Sequence, residues 1–333
     1  MIDQFYKDIK LTHFASYLPQ RAVTNKDIVT AMKSEVSEEV LFRTVGAREK
    51  RAAHIDEMGS DMLASVGSLL LASSGVKTEE ISKLICSCDP VDQAAPDSSV
   101  LAQYKLGLSC ASFGISMSCV GWLCGLQTAT GLMQNGDKKI LVLASSTVGS
   151  KFKFNSPMHR AIFGDGAGGV LVQRGTGIQG ASILAIDLLT IGQFYKDIYA
   201  PMAWSNVPEQ IPDKFKDSFF MNYDNQVFFD ALDKYVKPFF NNVMSKAQVT
   251  INDISRFIVH QASMPIFNHT VKSFGIPPDK VANYYEKYGN TIAAELPMYV
   301  DMELRAGRIK KGDLVVCFTY GAGFTAGVMV LKF

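Results

Sequence analysis

Along the chain, short unbroken apolar runs alternate with longer stretches in which apolar residues recur every three or four positions. The runs LICSC (84–88), FGISM (113–117), KILVLAS (139–145), GGVLV (168–172), RFIV (256–259), LVVCF (314–318) and AGVMVLKF (326–333) have the length and composition of buried strands. Helical spacing marks DMLASVGSLLLASSG (61–75), WLCGLQTATGLMQNG (122–136), VFFDALDKYVKPFFNNVMSKA (227–247) and AAELPMYVDMELRAG (293–307). Asn135-Gly136 supplies a helix stop. Strands separated by helices predict an α/β protein of largely parallel sheets, covered by helices on both faces.

The runs also repeat. EEISKLICSC (79–88) pairs with NDISRFIVHQ (252–261), each an acid, Ile, Ser and a base before a β-rich run. GDKKILVLASS (136–146) parallels KGDLVVCFTYG (311–321), and GAGGVLVQ (166–173) parallels TAGVMVLKF (325–333). The chain therefore reads as two related α/β halves, 1–178 and 179–333, joined near residues 175–185. A hexapeptide, QFYKDI, occurs at 4–9 and again at 193–198, outside the register of this duplication.

In such folds ligands gather at the carboxyl ends of strands and at helix N-termini. Cys119, in SMSCVGWLCGL (116–126), lies between a strand and a helix, where free N–H groups and the helix dipole favour thiolate over thiol. In the second half, VHQAS (259–263) follows a strand and YGNTI (288–292) precedes a helix, which adds His260 and Asn290. Each has an ordinary alternative when taken alone. Free Cys is usually buried and inert, a strand-end His is more often a structural hydrogen-bonder, and Asn beside Gly is usually a turn residue. FGDGAGG (163–169) lacks the Lys-Ser/Thr of a phosphate loop, so its glycines are read as close backbone approaches, with Asp165 capping a turn. His13, His54, His159 and His269 read as surface or structural.

Charge and composition narrow the classes. Thirty-three basic against 32 acidic residues leave +1 with no basic tract, which argues against a nucleic-acid partner. No apolar run approaches the roughly 18 residues of a membrane helix, and the start MIDQFYKDIK lacks the apolar segment of a secretory signal. Six irregularly spaced cysteines do not form a disulfide framework, and Cys86 and Cys88 read as core. No cluster suits a metal. A cytoplasmic globular protein that contacts neither membrane nor nucleic acid is the expectation.

In order, SYLPQRAVTNKDI (16–28), GAREK (46–50), the Cys119 turn, FGDGAGG, VHQAS, YGNTIAAELP (288–297) and YGAGFTAG (320–327) resemble the β-ketoacyl-acyl carrier protein synthase III family of thiolase-fold condensing enzymes. The resemblance runs from about residue 10 to the C-terminus. It implies a five-layered αβαβα fold built from two duplicated halves, a homodimer, no permanently bound cofactor, and coenzyme A or acyl-carrier-protein thioesters as substrates. It carries a Cys-His-Asn triad onto Cys119, His260 and Asn290, and an oxyanion hole onto the backbone N–H groups of Cys119 and Ala322. The implied activity is decarboxylative Claisen condensation of a bound acyl group with a malonyl-type thioester, giving a 3-oxoacyl product. It serves fatty-acid initiation or a specialised polyketide, quinolone or pigment pathway.

The chemistry suits these residue types. A cysteine can hold an acyl group as a thioester, and two neutral donors, His260 Nε2–H and the Asn290 amide, can stabilise an enolate oxygen without protonating its carbon. A carboxylate at 290 would instead suit acyl transfer to oxygen or nitrogen, the alternative reading; a non-catalytic partner subunit is the third. Thiolase chemistry would need a second reactive cysteine, and Cys317 lies inside an apolar run. Several positions depart from the family. Val40 replaces the Trp that often stacks on coenzyme A, and Pro157 stands where an Arg is expected, with Arg160 three residues closer to FGDGAGG. Phe229 and Pro265 replace basic carrier-docking positions, although Lys272 remains. Ala95 replaces a bulky aromatic that reaches across the dimer to close the acyl pocket, so a deeper pocket is expected unless Met117 or Phe113 fills it.

Overall fold

Nine strands form one hydrogen-bonded series in the computed structural model, which describes residues 6–154, 156–195 and 225–333. They are β1 (Ile9–Tyr17), β4 (Lys83–Asp89), β5 (Ala111–Gly114), β6 (Lys139–Ser146), β7 (Gly166–Arg174), β8 (Ala181–Thr190), β9 (Arg256–Val259), β10 (Leu314–Gly321) and β11 (Thr325–Lys332). A separate two-stranded antiparallel sheet pairs β2 (Arg21–Thr24) with β3 (Glu49–Ala52), with two short helices between them in sequence. The spatial order is β5-β4-β6-β7-β1-β8-β11-β10-β9.

That order displays the repeat. In the first half, β6 lies parallel to β4 and antiparallel to β7; in the second, β10 lies parallel to β9 and antiparallel to β11. Each parallel unit opens with a 3₁₀ turn, Thr78–Glu80 before β4 and Ile251–Asp253 before β9. The halves meet where Lys10 and Leu11 of β1 pair with Ser182 and Ala181 of β8. β1 and β8 are the two long strands that the apolar runs did not reveal. The sheet is mixed, not largely parallel as expected. The parallel pairs are β4–β5, β4–β6 and β9–β10, while the three-residue link from β10 to β11 is too short for anything but an antiparallel turn.

Helices make the remaining layers. Gly59–Ser74 and Ser98–Lys105 cover one face of the first-half strands, and Lys237–Lys246 covers β8 and β11. Gly121–Gln134 and Glu295–Arg305 lie between the halves, each packing on strands of both. Three buried apolar clusters fill the spaces: one between the halves around Trp122 and Tyr299, and one under each outer helical layer. This is the layered αβαβα arrangement. The central helices need close backbone approach. A Cβ on Gly168 would stand 2.7 Å from the Met298 backbone nitrogen, so only glycine fits there.

The observed helices agree with the periodicity to within a few residues. The stretch 227–247 folds as helix Asn225–Ala231, a π-turn Leu232–Val236 and helix Lys237–Lys246. FGISM does not form a strand over its whole length. β5 ends at Gly114 because only Ala111–Gly114 find partners on β4, and the chain then turns towards Cys119. The second half of the later QFYKDI, residues 196–198, lies outside the described residues.

Candidate active site

Cys119 occupies a 3₁₀ turn, Ser118–Val120, that runs directly into the central helix Gly121–Gln134. Ser118 adopts φ +43°, a left-handed conformation that a residue with a Cβ pays for. Three consecutive residues at the end of β10 fix the surroundings. Thr319 Oγ1 donates to the Cys119 carbonyl at 3.0 Å, and Tyr320 Oη donates to the His260 carbonyl at 3.0 Å. Gly321 lies against the thiol, since a Cβ built there would stand 3.0 Å from Cys119 Cβ and 3.1 Å from Sγ. Ala322 follows directly and is half-buried.

His260 directly follows β9, its N–H bonded to the Phe318 carbonyl at 2.8 Å, and its side chain is wholly buried. Nδ1 stands 3.2 Å from Glu295 Oε2, an ion-pair contact whose angle falls short of a hydrogen bond. Nε2 has no hydrogen-bond partner among the described residues. Burial alone would lower the affinity of this imidazole for a proton. The Glu295 carboxylate, and after it the Cys119 sulfur, outweigh burial and push its pKa up to about 10.

Asn290 is buried beside the same place. Its Oδ1 accepts the Ile292 N–H at 2.7 Å, and Nδ2 donates to the Ala262 carbonyl at 3.3 Å. Those two contacts fix the amide orientation, with nitrogen rather than oxygen on the Ala262 side. Ile292 adopts φ +55°, an outlier for a β-branched residue. The turn carrying Cys119 packs on the Ile292–Ala294 turn, so the 119 and 290 regions are neighbours.

The structure thus brings Cys119, His260, Asn290 and Ala322 together. It places Ala95 elsewhere: exposed, on the loop between β4 and the helix Ser98–Lys105. Cys317 is buried in β10 and its thiol is held protonated by burial; Cys86 and Cys88 lie in β4, and burial pushes Cys88 up to about 12. Asp165 is buried and accepts the Ala53 N–H at 2.8 Å. Of the departing positions, Val40 is exposed, Arg160 lies over the Phe154 ring, Phe229 stacks on His269 at 4.2 Å, and Pro265 and Lys272 are exposed.

Glu295, Thr319 and Tyr320 belong to this neighbourhood and were not singled out from the sequence. For Glu295 a signal existed: an acid inside YGNTIAAELP, at the start of a helix whose adjoining positions are all apolar. Among the described residues no group of His, Cys, Asp and Glu could hold a metal ion, and no helix is long and apolar enough to cross a membrane.

A layered duplicated α/β fold that brings a cysteine, a histidine and an asparagine together from separate junctions is that of a thiolase-fold acyl-transferring enzyme. The family models for 3-oxoacyl-[acyl-carrier-protein] synthase III match residues 113–192, and those for its C-terminal part match 244–333. The β-ketoacyl-[acyl-carrier-protein] synthase III of Staphylococcus saprophyticus is 30% identical over 98% of this chain and 99% of its own. That of Symbiobacterium thermophilum is 28% identical over 98% of each chain. Among solved structures, the Thermus thermophilus synthase III superposes with a TM-score of 0.87 at 26% identity, covering 97% of this chain and 99% of its own. OleA of Xanthomonas campestris shares the fold with a TM-score of 0.85 at 19% identity, over 98% of each chain. The chain belongs to the β-ketoacyl-acyl carrier protein synthase III family. It is a condensing acyltransferase, joining an enzyme-bound acyl group to a malonyl-type thioester with loss of CO₂.

Proposed function

We propose that Cys119 is the acylated nucleophile of this condensation, and that His260 and Asn290 stabilise the enolate formed at decarboxylation. In the first half-reaction the Cys119 sulfur attacks an acyl thioester. The backbone N–H groups of Cys119 and Ala322 receive the oxyanion of the tetrahedral intermediate. In the second, loss of CO₂ leaves an enolate whose oxygen lies between His260 Nε2 and Asn290 Nδ2, and its carbon attacks the thioester on Cys119. One such donor typically contributes about 3–4 kcal/mol.

The observation that carries this reading is convergence. Three residues from separate junctions of the two halves meet in one place, and the imidazole keeps a buried nitrogen, Nε2, without a partner. The substrates are coenzyme A or acyl-carrier-protein thioesters, and the exposed Val40 and the Phe229–His269 stack favour a mode of donor docking distinct from the usual basic, Trp-stacked one. The halves divide at 178/179, between β7 and β8, and the working unit is a cytoplasmic homodimer. Intact-mass spectrometry after incubation with a panel of acyl thioesters tests the assignment. A single acyl adduct is expected on the wild type and none on Cys119→Ser; an adduct that persists, or that maps to Cys124 or Cys317, overturns it.

A further inference from the structure

Glu295 is a wholly buried carboxylate at the start of a central helix. Its Oε1 accepts the Gln261 N–H at 2.6 Å, which fixes the group, and Oε2 faces His260 Nδ1 at 3.2 Å with no hydrogen bond of its own. Its ion-pair partner is His260, with no Lys or Arg in reach among the described residues. The charged and titratable groups around the imidazole are Glu295 and Cys119, with Tyr320 edge-on at 5.7 Å and Tyr299 beside the carboxylate. The Tyr320 hydroxyl is committed to the His260 carbonyl and to Thr270. A buried carboxylate without a compensating charge is strongly disfavoured, and the charge available here is an imidazolium.

This arrangement conflicts with a neutral imidazole acting as donor. A carboxylate at Nδ1 holds a proton there, so a neutral ring would present its lone pair at Nε2 and could only accept. Donation to an enolate from Nε2 then requires both nitrogens to carry protons. We propose that Glu295 is a positioning residue that keeps His260 doubly protonated throughout the condensation cycle, so that a cationic rather than a neutral donor meets the enolate. The inference rests on the reading of His260 as an enolate donor.

The proton and electron accounting closes without His260 changing state. In loading, the bond from Cys119 sulfur to the acyl carbon forms and the donor's C–S bond breaks; the Cys119 proton departs on the released thiol. In decarboxylation the C–C bond to the carboxylate breaks, and its electron pair moves into the enolate, whose oxygen is met by His260 Nε2–H and the Asn290 amide. The enolate carbon then bonds to the acyl carbon, and the Cys119 sulfur leaves as thiolate and takes one proton from solvent.

Nitrogen-15 NMR of the histidine-labelled wild-type protein, with His260 assigned by the signal lost in His260→Ala, tests this directly. Both ring nitrogens should report protonation at pH 7.5; a neutral His260 overturns the proposal without any variant at 295. Glu295→Gln keeps the volume and the acceptor for the Gln261 N–H while removing the charge. It should turn His260 neutral at pH 7.5 and slow condensation about 100-fold, while acyl loading measured by mass changes less than tenfold. Glu295→Asp should recover part of both the NMR signature and the rate. An unchanged histidine signal and unchanged condensation in Glu295→Gln also overturn it. If the wild type never loads at Cys119, the active-site reading fails first; if loading is normal and only the histidine signature is wrong, the Glu295 assignment fails alone.

Discussion

The hydroxyl of Thr319 donates to the backbone carbonyl of Cys119 at 3.0 Å, linking residues 200 positions apart. Cys119, in one half, is thereby held by a strand of the other. Gly321, two residues on, leaves just enough room for the thiol. Gly321→Ala would put a methyl 3.1 Å from Sγ, so either the turn or β10 has to yield by a few tenths of an ångström. Acyl loading should fall about 10- to 100-fold, since small misplacements of reacting groups are costly, while the melting temperature changes little. Stopped-quench loading followed by mass spectrometry measures it. A normal loading rate would show that the turn adapts freely. Thr319→Val, which strands the Cys119 carbonyl, should cost about 1 kcal/mol of stability.

On the proposed reading, a change at Asn290 should separate loading from condensation. Its Oδ1 is bound to the Ile292 N–H, so the group that can reach an enolate is Nδ2. Asn290→Asp retains that backbone contact but sets a second oxygen 3.3 Å from the Ala262 carbonyl, and acceptor faces acceptor. Loading should persist, while condensation should drop by about 100- to 1,000-fold, as when one oxyanion donor is removed. Single-turnover assays that follow acyl-enzyme and 3-oxoacyl product separately distinguish the steps. Equal losses in both would assign Asn290 to the first half-reaction as well.

Legibility in the sequence followed the reach of each interaction. β4, β6, β10 and β11 are buried on both faces, so their apolar runs stand out. β1 and β8 bury alternate positions and gave weaker signals, though they form the seam. Cys119, His260 and Asn290 lie at strand–helix junctions whose local turn residues mark them. Glu295, Thr319 and Tyr320 act through contacts with residues 34, 200 and 60 positions away; Glu295 is marked locally only as an acid among apolar neighbours, and nothing local distinguishes Thr319 and Tyr320 from ordinary strand positions. The strand predicted at 113–117 shortened because its partner, not its own alternation, decides where the ladder stops.

Asp89 provides a pH-dependent test of the scaffold. Its Oδ2 is buried without a partner at the end of β4, and burial pushes the carboxyl up to about 6 from an ordinary 3.8. Below 3.8 both folded and unfolded chains hold the proton, and the contribution to stability is fully present. As pH rises from about 4 through 6 the unfolded chain releases its proton first, and that contribution is lost. Asp89→Asn cannot ionise and escapes the loss. The variant should gain on the wild type by about 1–3 kcal/mol between pH 4 and pH 8. Urea unfolding at both pH values measures the difference, and a pH-independent gap would mean that the fold leaves the Asp89 carboxyl at its ordinary value.

Primer length is the remaining expectation, and it rests on a missing ring. Ala95 occupies an exposed loop of the protomer, between β4 and the helix that flanks the edge strand β5, so a side chain there faces outward from its own chain. If the chain works as a homodimer like that implied by the family resemblance, a large aromatic at this position would reach the neighbouring acyl pocket, and an alanine would leave that floor open. Met117 and Phe113, half-buried on the approach to Cys119, are the side chains able to fill it from within. If the space is open, each further methylene buried adds about 0.8 kcal/mol, so three favour a longer primer by well over tenfold. Loading rates for acetyl, hexanoyl and decanoyl thioesters should rise with length in the wild type. Ala95→Phe should suppress the decanoyl rate at least tenfold and leave acetyl nearly unchanged. Acetyl emerging as the best primer of the wild type, or long-chain rates indifferent to the added ring, would place the floor of the pocket on residues of the same chain.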